Sequence, residues 1–291
     1  MQEILGYFQE RLENSEESLE NFSSEKKMTV IISYPKQTKE RNKVFFEKKD
    51  QELMNLNWSQ QGGWSDTDGY ITCNFNKKIK HWQKRVGLKL ADRQPVELFS
   101  KIFETSLSYW TCKTITPEPY RKEYISKTYA AEVYAEKAVW FTKNVYPYLI
   151  KEEKKDFAVK LLGYRPESKD FADWTPDEVI HYLATALEGD GRYYVHQRKS
   201  KTIEMALFSS DAQYLSDVQN LANTKLGLIF NLQERSTYKT KKGIRTKYML
   251  RGYCSRRNPN NLGFLQSLLK DGVMTLDRKK QRVQEFVNHV S

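Results

Sequence analysis

The stretch LATALEGDG, residues 183–191, runs from a helical pattern straight into an alternating polar run. The stretch QGGWSDTDG, residues 61–69, does the same 122 residues earlier. Each ends in an acid, a small residue, an aspartate and a glycine, and each passes directly into a strand pattern. Small residues within the helices, Gly62 and Gly63 in one and Ala184 and Ala186 in the other, permit close backbone packing. If the two helices pair about a two-fold axis, their C-terminal ends lie together, and Asp68 and Asp190 come within a few ångströms. Two carboxylates at helix C-termini oppose both the helix dipoles and each other's charge. Cations must neutralise them, and hard oxygen ligands select Mg²⁺, with Mn²⁺ as its substitute. Two such ions can clamp a phosphate and activate water.

Outward from these corners, the chain gives the same order of elements twice. The first begins with a short helical pattern between Asp50 and Trp64. Strands YITCNFN and RVGLKLADR follow, then a Pro-started helix PVELFSKIFETSL at 95–107. Strands SYWTCKTIT and YISKTYAAEVY, helix AEKAVWFTKNVYPYL and a charged helix from Lys151 complete it. The second opens at Thr175-Pro176-Asp177-Glu178, a capped helix start. Helix DEVIHYLATALEG leads to strands RYYVHQRK and TIEMALF, helix DAQYLSDVQNLANTKLG, strands LIFNLQER and IRTKYMLRGY, helix NNLGFLQSLLKDG and the tail DRKKQRVQEFVNHVS. A period near 120 residues is too long for a solenoid. The expectation is an α/β (α+β) chain of two pseudo-symmetric αββαββα repeats, residues 50–170 and 171–291. Residues 1–49 are read as an accessory N-terminal extension, with an acidic amphipathic helix to about Phe22.

The 291 residues carry 48 Lys and Arg against 37 Asp and Glu, a formal charge of +11 that favours a polyanionic partner, with nucleic acid the default. Eighteen Tyr, 14 Phe and 6 Trp argue for a packed core rather than a disordered basic tail. No run reaches the ~18 apolar residues of a membrane helix. The glutamate-rich N-terminus differs from a secretory leader. The expectation is an intracellular protein, with organellar, bacterial and phage encoding all open. Cys73, Cys112 and Cys254 are too scattered for a disulfide framework or zinc site and read as buried small hydrophobes. The four histidines show no metal-binding spacing.

The paired corners and the repeated order resemble the LAGLIDADG homing endonucleases in their single-chain, two-repeat form, over residues 50–291. LATALEGDG is the nearer match, with Glu188 in place of the usual first Asp. QGGWSDTDG matches from Gly62 onward, with Gln61 where an apolar residue is usual. The tails AEKAVWFTKNVYPYLIKEEKKDF and NPNNLGFLQSLLKDG also resemble the family. The resemblance implies a saddle of antiparallel sheets straddling double-stranded DNA, a pseudo-symmetric monomer, and metal held at Asp68 and Asp190 with the adjoining Gly69 and Gly191. It implies one assisting basic residue per half, Lys151 or Lys154 in the first and Arg278 or Lys279 in the second. The implied activity is site-specific double-strand cleavage of a long asymmetric target, leaving short 3′ overhangs.

On such a saddle the strands after each motif face the DNA. Side chains alternate along a strand, so one face presents Tyr70, Thr72, Asn74 and Asn76, and its counterpart Arg192, Tyr194, His196 and Arg198. Amide and guanidinium groups suit major-groove base edges. The opposite face, Ile71, Cys73 and Phe75, is apolar as a helix-covered face should be. Residues 235–257 hold no acid. A hairpin turning at Lys241-Lys242-Gly243 would lay Lys239, Lys241, Lys242, Arg245 and Lys247 along the phosphate backbone. The alternatives are an intron maturase using the same fold on group I intron RNA, and an unrelated basic α/β RNA-binding protein.

Overall fold

The Asn57 side chain accepts from the Gln60 N–H and opens helix α1 (Trp58–Thr67). The structure, a computed structural model, describes residues 56–77, 80–115, 123–196, 202–240, 243–255 and 258–290, with only the backbone at 112–115, 123–126, 239 and 240. The expected helix before Phe22, Arg198, Lys241 and Lys242 lie outside the described residues, as does the Lys239 side chain. Residues Phe46–Ser291 form one compact unit.

After α1 come β1 (Gly69–Asn76), β2 (His81–Leu90), α2 (Arg93–Ile102), β3 (Leu107–Ile115), β4 (Glu123–Tyr134), α3 (Ala135–Val145) and α4 (Glu152–Leu162). The order then repeats as α5 (Pro176–Gly189), β5 (Gly191–His196), β6 (Thr202–Ser209), α6 (Ala212–Leu226), β7 (Phe230–Thr240), β8 (Gly243–Cys254), α7 (Pro259–Leu268) and α8 (Asp277–Val290). Each repeat closes a four-stranded antiparallel sheet, ordered β1-β2-β4-β3 in the first and β5-β6-β8-β7 in the second. The duplicated α/β architecture expected from the sequence is the observed one. The start of α5 follows the sequence signal: Thr175 and Glu178 form a reciprocal capping box around Pro176.

In each half the glycine after the motif aspartate begins an edge strand, and the registers match: Gly69 pairs with Leu88, and Gly191 with Leu207. One face of each sheet lies under helices. Ile71, Val86, Leu88, Ala131 and Val133 bury there in the first half, against an aromatic cluster of Phe99, Phe103 and Phe141. Tyr182, Leu183, Tyr193, Met205, Leu215, Phe264 and Phe286 build the second core. Each large side chain so buried contributes roughly 1.5–3 kcal/mol. The helix cover ends before the tip of β1. Phe75 is 45% exposed and stacks edge-on with Trp82, against the expectation that it faces the core. Cys254 is buried as expected, whereas Cys73 is half-buried. No helix among the described residues is long and apolar enough to cross a membrane.

Candidate active site and nucleic-acid face

Helices α1 and α5 pack backbone against backbone, and particular small residues allow it. A Cβ on Gly63 would stand 2.2 Å from Thr185 Oγ1 and 2.4 Å from the Tyr182 carbonyl oxygen. A Cβ on Gly189 would stand 2.3 Å from Thr67 Oγ1 and 2.5 Å from Asp68 Oδ2. Thr185 also donates across the pair to the Gln60 carbonyl at 2.9 Å. Gly62, expected at the same seam, instead faces Tyr148, whose carbonyl oxygen would lie 2.6 Å from its Cβ. Gly189 reads in the sequence only as part of the turn, yet it is a contact point of the pair.

The pairing brings the C-cap residues together. Asp68 and Asp190 close α1 and α5, and Asp68 Oδ2 lies against Gly189, the residue before Asp190. That oxygen is buried with no hydrogen-bond partner. Burial first, and the charge of Asp190 second, push the Asp68 carboxyl up to about 7, while Lys279, Lys151 and Lys154 pull the other way. The Asp190 side chain is 40% exposed, with Lys151 Nζ 3.9 Å from its Oδ2. A buried, unpartnered carboxylate oxygen beside a second carboxylate is what a hard divalent cation satisfies. Among the described residues no group of three or more His, Cys, Asp or Glu could hold a metal. An ion here would complete its shell from water, backbone or phosphate oxygens, as Mg²⁺ commonly does.

The preceding acid of each motif has a different task. Asp66 is fully buried and accepts from the Ile150 N–H at 2.7 Å, the Lys151 N–H at 3.3 Å and the Tyr182 hydroxyl at 2.6 Å. Glu188 accepts from the Thr275 N–H at 2.7 Å, the Thr275 hydroxyl at 2.8 Å and the Leu276 N–H at 2.8 Å. Each ties its motif to the entry of the helix that ends its repeat, α4 or α8. Burial pushes the Asp66 carboxyl up to about 6, and raises that of Glu188.

The four basic candidates separate. Lys154 and Lys279 are equivalent: Lys154 Nζ donates to the Gly69 carbonyl, and Lys279 Nζ to the Gly191 carbonyl at 2.8 Å and to the Leu187 carbonyl at 2.8 Å. Burial lowers both, Lys279 to about 8 with the neighbouring Arg278 charge adding to the effect. The carbonyls of Gly69 and Gly191 thus already receive ammonium groups. Lys151 Nζ donates to the Asp66 carbonyl at 2.6 Å and lies 4.6 Å from the Tyr214 ring centre. Arg278 turns away, with Nε and Nη2 on the Asp92 carboxylate at 2.8 and 2.6 Å.

The uncovered sheet faces carry the strand residues. Tyr70 lies across β2, where Gly87 leaves space (a Cβ there would be 2.5 Å from Tyr70 Oη), and donates to Glu132. Thr72 is half-buried, Asn74 exposed and Asn76 half-buried. In the second half Arg192 binds Glu204, Tyr194 is 53% exposed, and His196 stacks edge-on with Tyr194 at 4.8 Å. β7 and β8 pair out to Thr240 and Gly243, the latter at φ 119°, so the expected hairpin is present. Arg245 and Lys247 are exposed on it. Arg192, Arg235 and Lys247 lie around one aromatic ring, Phe208, at 5.5, 4.9 and 5.3 Å from its centre. Sequence reasoning misses Arg85, Glu132, Glu204 and Phe208. Counting faces only along the strand after each motif leaves out its partners, although the same alternation carried onto the second strand finds Arg85 and Glu204.

No protein-family model matches the sequence, and no curated protein matches it. Solved structures match by fold. The LAGLIDADG homing endonuclease I-GzeII in complex with its DNA target superposes with a TM-score of 0.51 at 12% identity, over 81% of this chain and 90% of that one. The LAGLIDADG meganuclease I-AabMI bound to uncleaved DNA gives 0.47 at 12% identity, over 80% and 90%. The homing endonuclease I-WcaI bound to its DNA recognition sequence gives 0.45 at 15% identity, over 78% and 85%. This chain has the two-repeat LAGLIDADG fold.

Proposed function

We propose that the chain is a site-specific endonuclease of double-stranded DNA, acting on a long asymmetric target with Mg²⁺, or Mn²⁺ in its place. The observation that carries this reading is the buried, unpartnered Asp68 oxygen beside Asp190 at the joined helix ends, between two sheets with basic uncovered faces. Divalent ions there would supply an activated water and charge stabilisation at a scissile phosphate. Asp68 and Asp190 would be their carboxylate ligands. Lys154 and Lys279 hold the backbone at Gly69 and Gly191, and Lys151 brings positive charge to Asp190. The strand faces grip the duplex, with Arg245 and Lys247 on phosphates. The DNA-bound state of I-GzeII supports the duplex as partner.

The test is a cleavage selection on a randomised duplex library with Mg²⁺. Wild type should cut both strands of a recurrent target. Asp68→Asn and Asp190→Asn should bind that target as well or better and leave it uncut, because each loses a metal ligand and a charge that repels phosphate. Undiminished cutting by the double variant overturns the proposal.

A further inference from the structure

The two uncovered faces carry one acid–base pair with its charges exchanged. Arg85 Nη1 on β2 lies 3.6 Å from Glu132 Oε1 on β4. Glu204 Oε2 on β6 lies 3.6 Å from Arg251 Nη1 on β8. The registers make these equivalent places: Gly87 pairs with Glu132 and Ala206 with Arg251, and Arg85 and Glu204 each stand two residues earlier.

The exchange changes what the edge strand contributes. Tyr70 on β1 and Arg192 on β5 occupy matching rungs, opposite Gly87 and Ala206. Tyr70 gives its hydroxyl proton to Glu132 as a hydrogen bond. Arg192 places Nε at 3.2 Å and Nη2 at 2.6 Å on Glu204 Oε1. Arg251, and His196 at 3.8 Å, face Oε2. Glu204 is 3% exposed, so it cannot reach a base itself, whereas the Arg192 side chain is 43% exposed. Among the described residues Arg192 Nη1 has no acceptor. The guanidinium is therefore clamped along one edge and presents its remaining N–H groups outward. Guanine O6 and N7 accept such a planar pair of donors.

We infer that Glu204 is a positioning residue that fixes the Arg192 guanidinium to read guanine in the innermost part of one half-site, while the matching position of the other half-site lacks such a reader because Tyr70 is tied to Glu132. Arg192 is innermost because it follows Asp190 by two residues. The inference rests on the DNA-binding part of the proposed function, but needs neither metal nor cleavage.

The experiment is an equilibrium binding selection on a randomised duplex library in a chelating buffer, run on the full chain and its variants. Wild type should prefer guanine at one inner position of one half-site by roughly 5–150-fold, the range of one good bidentate contact. Glu204→Gln should flatten that preference while affinity for unselected duplex holds or rises, since a negative charge has left a surface that meets phosphate. A merely structural role would weaken binding to all sequences alike. Glu132→Gln removes the same charge from the other sheet and should leave this guanine preference intact. Arg192→Lys keeps the charge but loses the planar fork, and it should lose the preference even if Glu204→Gln fails to fold. A preference that survives Arg192→Lys or Glu204→Gln, or a uniform loss of affinity in Glu204→Gln, overturns the inference alone. Selection of no duplex motif by wild type overturns the DNA reading and this inference with it.

Discussion

At Asp68 the same burial that suits it to the proposed cation site makes the metal-free protein pH-sensitive. Folded, the carboxyl holds its proton to about 7 against an ordinary value of 3.8. Between those values the folded chain binds more protons than the unfolded one, so stability falls as pH rises from about 4 to 7, by at most ~1.4 kcal/mol per pH unit. Asp66, raised to about 6, acts in the same direction below that pH. Asp68→Asn should therefore melt higher than wild type at pH 8 in chelator, with the gain shrinking toward pH 4; thermal unfolding across that range measures it. Divalent cation should reverse the order at pH 8, because it binds only the ionised wild-type pair. Glu188 gives the contrasting case of an acid that is purely structural. It is 1% exposed and accepts three hydrogen bonds at the entry of α8. Glu188→Ala strands those donors at about 1–3 kcal/mol each, so denaturant unfolding should show a loss of about 3 kcal/mol or more. Glu188→Gln keeps an acceptor and should lose less.

At the scale of the element, the pair α1–α5 decides whether the aspartates meet. Gly63→Ala would put a methyl 2.2 Å from Thr185 Oγ1, and Gly189→Ala one 2.5 Å from Asp68 Oδ2. Neither helix can yield without parting the pair, so each should cost about 1–3 kcal/mol as overpacking. Gly189→Ala should reduce the proposed cleavage more than stability, since it displaces Asp68, a proposed metal ligand; turnover per folded molecule separates the two effects. The paired motif, the element order and the aspartates were legible because a glycine-rich helix end followed by alternation occurs twice at matched distance. The anchoring task of the preceding acid in each motif was not legible. Asp66 and Asp68 are chemically identical in a sequence, and only the fold shows that one reaches Ile150 and Lys151 while the other stays unpartnered. Among the basic candidates, two lysines 125 residues apart, Lys154 and Lys279, reach equivalent carbonyls. Their charge-rich helices gave no register by which to choose them over Lys151 and Arg278. The exposure of Phe75 was equally hidden, because alternation gives the face of a strand but not where its covering helix stops.

Across the whole unit the halves are bound by more than the helix pair. Gln60 donates to the Val273 carbonyl at 3.1 Å, and Arg278 of α8 clamps Asp92 ahead of α2. One chain holding two fused halves can let their faces diverge, and the exchange of Arg85–Glu132 for Glu204–Arg251 is such a divergence. On the second face Arg235 and Lys247 flank Phe208, and Arg245 extends toward the hairpin tip, all three exposed. In a protein of formal charge +11, such a cluster would, on the proposed reading, bind duplex DNA chiefly by releasing counterions from phosphates. Replacing Arg235, Arg245 and Lys247 by Gln should lower the slope of log K against log[salt] by about one unit for each phosphate left without its cation, up to about three. Affinity should drop for every duplex alike, because phosphate contacts carry no sequence information, and the base preference tied to Arg192 should persist. Titrations of a selected and an unselected duplex over a range of salt measure both quantities. An unchanged slope would show that this side of the second sheet does not lie along the backbone.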